Sequence, residues 1–279
     1  MSTEISDKSR KYLQNLGALT NMVKRIALEA GELTLEYYED AGFVGADEKH
    51  DGSPVTIADQ QAEVLIEARL KEILPDVPMI GEELASRGDA DNLEIGEYFW
   101  LVDPLDGTKD FIAGGQDYTV NIALIRNQQP VLGVVYAPVR GSLYAAHEGG
   151  RAVRWSEDTD KEKEIFVRPE PRGGLTVMAS KMHGHPARMN DFLEGFKVSK
   201  ILRHGSSLKM CMIAAGKGDI YPRFGLTCLW DTAAAHAVLN AAGGCLLDLQ
   251  GKPLIYNHKA PDFLNPEFVA AGFNWFAEE

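Results

Sequence analysis

Apolar residues recur at Leu19, Met22, Val23, Ile26, Ala30, Leu33 and Tyr37, a spacing that lines one face of a helix over residues 19–38. A second helical pattern runs over 56–74, with Ile57, Leu65, Ile66, Leu70, Ile73 and Leu74 as its predicted buried face. Thr56 and Asp59 form a capping-box-like start to it, after the Gly52-Ser53-Pro54 turn. Between Pro75 and the acidic stretch 86–97, read as a surface loop, residues 77–80 predict a short strand. Apolar and β-branched runs at 99–102, 119–126 and 131–137 predict further strands, the last two joined as a hairpin through 127–130. Residues 142–146 and 152–155 continue that sheet, whereas the charged run 157–164 reads as a solvated loop.

From residue 175 the pattern changes to alternation. Strands are expected at 175–179, 201–202, 220–224, 245–249 and 268–271, with helices at 186–196, 208–215 and 231–242. Such alternation belongs to the α/β class. The Pro- and Gly-rich stretch 168–174 is the best boundary, dividing an N-terminal α+β sub-domain, 1–168, from a C-terminal α/β sub-domain, 175–279. No internal repeat interrupts this plan.

A chain of 279 residues, 45% hydrophobic and 25% charged, can bury a sizeable core. Its net charge of −13 argues against a nucleic-acid polymer as partner. Cys211, Cys228 and Cys245 form no CxxC pair, so neither zinc nor a disulfide framework is expected. There is no stretch of signal-peptide or membrane-spanning character, which predicts a cytoplasmic protein.

The candidate chemistry lies where predicted strands end in carboxylates. The strand at 99–102 leads into Asp103-Pro104-Leu105-Asp106-Gly107-Thr108, read as a turn that aims two carboxylates at one point. Withdrawing unpaired carboxylates from water is costly, so they protonate or capture a cation, and oxygen ligands of this kind suit Mg, Ca or Mn. If a short helix begins at Thr108, Asp106 is its N-cap and the Gly107 and Thr108 amides offer an anion site. Gly81-Glu82-Glu83 repeats the strand-end pattern, and Asp231 opens a later helix. Each of these acids taken alone also fits an ordinary cap or a solvated charge.

Taken in order, GEE at 81–83, DPLDGT at 103–108 and WDTAA at 230–234 resemble the inositol monophosphatase family of metal-dependent phosphatases. The resemblance covers residues 18–268 and implies a layered α/β/α/β/α sandwich with its active site between two sub-domains. By the same resemblance, Glu82, Asp103, the Leu105 carbonyl, Asp106 and Asp231 hold two Mg ions, with a third allowed. Asp59 and Thr108 orient and deprotonate the attacking water, and the Gly107 and Thr108 amides hold phosphate oxygens. The segments DGSPVTIAD, PVLGVVYAP, GSSLKMC, YPRFG and FLNPEF are similar to those of family members acting on bisphosphorylated nucleotides. Ser206, Lys209 and Arg223 then contact the nucleotide, together with His183, whose place in SKMHGHP is ambiguous with His185. The implied reaction is Mg-dependent hydrolysis of 3'-phosphoadenosine 5'-phosphate to AMP and phosphate, recycling a by-product of sulfur assimilation, with lithium as inhibitor. The sulfated analogue is a further implied substrate, and peripheral membrane association is implied for some relatives. Inositol phosphates are the alternative substrates, and a binding protein that has lost activity is the alternative from another class. No partner protein is implied.

Overall fold

The structure, a computed structural model, describes residues 5–39, 46–48, 54–90, 93–181 and 185–276. Helices α1 (Asp7–Leu13) and α2 (Leu16–Glu39) open the chain, and β1 (Ala46–Glu48) pairs antiparallel with β2 (Pro54–Thr56). Helix α3 (Ile57–Ile73) follows, then β3 (Met79–Gly81), α4 (Glu82–Ser86), β4 (Tyr98–Asp106) and α5 (Thr108–Ile112). A meander of β5 (Thr119–Arg126), β6 (Gln129–Ala137), β7 (Ser142–His147), β8 (Val153–Ser156) and β9 (Lys161–Glu164) completes a seven-stranded sheet in the order β3-β4-β5-β6-β7-β8-β9.

The remainder comprises β10 (Leu175–Ser180), α6 (Pro186–Leu193), β11 (Val198–His204), α7 (Leu208–Ala214), β12 (Ile220–Arg223), α8 (Leu229–Ala241), β13 (Cys245–Asp248) and β14 (Phe268–Ala271). Its five strands form a second, mixed sheet in the order β11-β10-β12-β14-β13.

Strand alternation explains the layering. In β4, Trp100 and Val102 face the core built with α2 and α3, while Phe99 and Leu101 face the core built with α7 and α8. The latter core also takes Leu246, Phe268 and Ala270 from the second sheet, so α7 and α8 lie between the sheets. On the far face, α6 contributes Leu193 to a cluster with Leu175, Val177, Ile220 and Val269. The result is the α/β/α/β/α sandwich. A helix enclosed this way is apolar all round, and α8 buries ten of its residues, four of them alanines. Close approach is the reason for the alanines: a Cβ on Gly133 of β6 would lie 2.2 Å from the Ala234 carbonyl oxygen.

Several expectations are corrected. Ile57 is 48% exposed and Leu65 only half-buried; Ile66, Leu70, Ile73 and Leu74 are buried as expected, but Ala58 and Ala62 complete the face, which brings Asp59 and Glu63 inside. The run 157–164 contains β9, an exposed edge strand whose lysines and glutamates discourage further pairing. Residues 103–106 remain in β4 instead of turning. Asp103 pairs with Asn121 and Asp106 with Thr119, so the ladder carries one extra residue on β4. Nor is Asp106 the cap of α5: Gly107 holds that position at φ 100°, a left-handed conformation suited to glycine. The 127–130 hairpin is confirmed as a two-residue turn, with Asn127 at φ 49° and Gln128 at φ 65°. Among the described residues, no helix is long and apolar enough to cross a membrane.

Candidate active site

A cavity of about 290 Å³ opens where the end of β4 meets the second sheet. Glu82, Asp103, Leu105, Asp106, Gly107 and Thr108 line it from the first half; Ser206, Lys209, Arg223 and Asp231 line it from the second. The β4 bulge explains how Asp103 and Asp106 address one cavity, because the extra residue re-aims the strand end. Asp103 Oδ1 also accepts the Leu105 amide at 3.0 Å, which fixes the bulge. The Thr108 hydroxyl donates to the Leu105 carbonyl at 3.3 Å.

The acids form one electrostatic unit. Burial first, then the charges of Glu82, Asp106, Asp231 and Asp59, push the Asp103 carboxyl well above its ordinary range. Burial likewise raises Asp231, assisted by Asp106 and Glu82 and opposed by the Cys228 amide and Arg223. Burial also raises Asp106, but Lys209, the Ser207 amide, Asn121 and Arg223 all favour its charge. Asp59, in the first turn of α3 and 3% exposed, reaches the cluster from a third direction.

Among the described residues, no three His, Cys, Asp or Glu side chains converge tightly enough to hold an ion as they stand. The donor set nevertheless fits hard divalent cations. It is all oxygen, and burial with mutual repulsion raises the Asp103 and Asp231 carboxyls, which a bound cation would offset.

The second half delivers Ser206 and Lys209 through one stapled turn, and Arg223 and Asp231 from β12 and α8. The Ser207 amide donates to Asp106 at 2.6 Å, and the Ser207 hydroxyl meets Asn121 Oδ1 at 2.7 Å and Thr119 at 3.0 Å. Ser206, at φ 48°, donates its hydroxyl to the Asp117 carbonyl and accepts the Leu208 amide at 3.3 Å. Its oxygen can therefore meet a ligand only as an acceptor. Lys209, 4% exposed, donates to the Ser206 carbonyl and sits 5.0 Å from the centre of the Tyr221 ring. Burial lowers its ammonium to about 8, although Asp106 favours the charge. Arg223 is 9% exposed and donates to the Leu226 carbonyl at 2.9 Å. Neither is an ordinary surface charge.

Asp231 opens α8 with one carboxylate oxygen taking the Cys228 amide at 2.8 Å. Asn265, in the FLNPEF segment, braces that helix start by donating to the Cys228 carbonyl at 2.6 Å and to Thr232 at 3.2 Å. His183 lies outside the described residues. His185 precedes α6 and lines a smaller cavity of about 70 Å³ that shares Ser180, Tyr221 and Arg223 with the main one.

Sequence reasoning missed Asp117, Asn121, Ser207, Lys181 and Glu63. Glu63 is buried and accepts the Glu83 and Leu84 amides at 2.8 and 2.7 Å, holding the helix start that bears Glu82. Its only signal was its place four residues after Asp59, on the same helical face.

Fold and cavity together define a layered α/β/α/β/α protein with an acidic cleft between its sheets. The chain belongs to the inositol monophosphatase family, whose model matches residues 15–273. It is 42% identical over 253 residues to the 3'(2'),5'-bisphosphate nucleotidase CysQ of Escherichia coli K12, covering 90% of this chain and 98% of that protein. The corresponding CysQ of Buchnera aphidicola is 37% identical over 258 residues, covering 91% and 93%. Among solved structures, CysQ from Bacteroides thetaiotaomicron, a bacterial member of the family, superposes with a TM-score of 0.75 at 36% identity, covering 92% and 98%. The Thermotoga maritima IMPase superposes at 0.73 with 24% identity, covering 90% and 91%, a likeness of fold.

Proposed function

We propose that this protein is a 3'(2'),5'-bisphosphate nucleotidase, a Mg-dependent phosphatase that converts 3'-phosphoadenosine 5'-phosphate to AMP and phosphate. The observation that carries this reading is the cavity in which Glu82, Asp103, Asp106 and Asp231 face buried Lys209 and Arg223. Carboxylates on one side suit cations, and cationic side chains on the other suit a second phosphate. Relatives bearing that activity in their names, matched over nine-tenths of this chain, support it.

Glu82, Asp103, the Leu105 carbonyl, Asp106 and Asp231 would hold two Mg ions, with a third site allowed beside Asp59. When bound, the ions lower the pKa of a water, polarise the phosphate and neutralise the leaving oxygen. The chain's own work is positioning and proton transfer. Thr108 orients the water, and the Asp59 carboxylate takes its proton for in-line attack. Gly107 and Thr108 line the cavity beside Asp106 and present their amides to phosphate oxygens. Ser206, Lys209, Arg223 and a histidine from 183–185 bind the nucleotide. On this reading residues 1–168 and 175–279 are two sub-domains, the first carrying most metal ligands and the second Asp231 and the nucleotide contacts. Lithium inhibits, the 5'-phosphosulfate analogue is also a substrate, and the protein works in the cytoplasm, with peripheral association at the inner membrane face as a further part of the proposal.

A phosphate-release panel tests the reading. With Mg, 3'-phosphoadenosine 5'-phosphate should be hydrolysed with a far higher kcat/KM than inositol monophosphate. The reverse preference would reassign the substrate to inositol phosphates. Mg and nucleotide binding by equilibrium dialysis without any turnover would make the protein a binding module.

A further inference from the structure

Asp117, between α5 and β5, is fully buried and belongs to none of the motifs that mark the active site. Its carboxylate gathers contacts from both halves of the molecule. Arg140, in the turn after β6, donates Nε at 2.8 Å. Lys181, just beyond β10, lies 2.6 Å away, and His204, the last residue of β11, lies 3.4 Å away. The Gly205 amide donates at 3.0 Å, and the Asp117 carbonyl takes the Ser206 hydroxyl. Burial alone would raise this carboxyl, but His204, Lys181, the Gly205 amide and Arg140 outweigh burial and hold it far below the ordinary range.

One residue thus joins the first sheet to the ends of two strands of the second, beside the cavity. The next amide along the fastened turn is Ser207's, which holds Asp106. A shift of the turn would move the nucleotide-facing edge and the Asp106 contact together, because they are consecutive peptide units.

We propose that Asp117 is a positioning residue that locks the 205–207 turn onto the first sheet, coupling the nucleotide edge to the metal-binding strand end. The coupling part rests on the function proposed above; the locking part does not. Asp219 offers a matched control. It is equally buried and takes Arg168 at 2.7 and 2.6 Å and the Thr176 amide at 2.6 Å, but it lies outside the cavity.

Asp117→Asn and Asp219→Asn are compared with the parent by hydrogen exchange at the Gly205 and Ser207 amides, Mg calorimetry and steady-state kinetics. Asp117→Asn should lose at least ~10-fold of the protection at these amides, a change of about 1.4 kcal/mol in local opening. Its Mg dissociation constant and nucleotide KM should both rise about tenfold, with kcat falling less. Asp219→Asn should lower Tm while leaving all three within about twofold, as distant sites do. Unchanged exchange in Asp117→Asn, or equal loosening of the turn in both variants, would overturn the proposal. If the parent binds no Mg but Asp117→Asn still frees the 205–207 amides, the metal assignment falls and the locking role stands.

Discussion

The Ser207 amide donates to the Asp106 carboxylate across 101 residues of sequence, and Asn121 braces both partners. Asn121 Oδ1 takes the Ser207 hydroxyl, while its Nδ2, lacking a hydrogen bond of regular geometry, still favours the Asp106 charge. Asn121→Ala should therefore raise the Mg concentration for half-activation and lower kcat/KM by about tenfold. The lost buried contact should cost roughly 1–2 kcal/mol of stability. Mg activation curves beside thermal melts check this; a stability loss with unchanged Mg dependence would make Asn121 a core residue only.

Asp103→Asn is expected to abolish Mg-dependent turnover while the fold persists. The variant removes a carboxylate that burial and four neighbouring acids already disfavour, so the apo protein should be no less stable. Activity should fall on the order of a hundredfold or more, the scale of removing a main electrostatic stabiliser. Near-normal turnover with unchanged metal dependence would sink the two-metal assignment.

Selectivity should separate by substrate. Lys209→Met and Arg223→Ala each remove one or two charge-assisted hydrogen bonds to the nucleotide, worth roughly 1.5–3 kcal/mol. For the bisphosphate nucleotide this is about a ten- to hundredfold loss in kcat/KM, whereas a small monophosphate should change little. Methionine preserves the stem that packs at Tyr221. Equal losses on both substrates would return these residues to structural roles.

Glu63 gives the fold a pH signature of its own. Burial, then the Glu83 charge, lifts its carboxyl from 4.5 to about 7, although the Glu83 and Leu84 amides and Arg87 oppose the rise. The unfolded chain releases this proton near 4.5 and the folded chain only near 7, so the contribution is full below 4.5 and is lost as pH climbs to 7. Its total is roughly 3 kcal/mol at most. In Mg-containing buffer, the parent's Tm should fall relative to that of Glu63→Gln across this window. Parallel Tm profiles would remove Glu63 as the source.

Gly133→Ala should be the most damaging single-methyl change in β6, since the new Cβ would meet the Ala234 carbonyl oxygen of α8 at 2.2 Å. Overpacking of this kind costs about 1–3 kcal/mol or more. Because α8 also carries Asp231, a weaker Mg affinity should accompany the lower Tm. A variant as stable as the parent would show that α8 can withdraw from the sheet without penalty.

What the sequence determined by itself were the features with a local period or a contiguous signature. The α2 face, the β5–β6 hairpin, the strand-end acids of GEE and DPLDGT and the helix-start acid of WDTAA were legible because each lies within one element or one contiguous signature. Tertiary structure decided what depends on partners distant in sequence. Ile57 is as apolar as Ile66, yet only the latter meets α2 and the sheet, while the alanines beside it bring Asp59 and Glu63 inside. Residues 103–106 contain turn-forming Pro104, but pairing with β5 keeps them in the ladder as a bulge. Asp117 carries no pattern at all, since its cationic and amide partners come from three separate segments, at 140, 181 and 204–205. A buried carboxylate is defined by what surrounds it, and those surroundings exist only once the two sheets have come together.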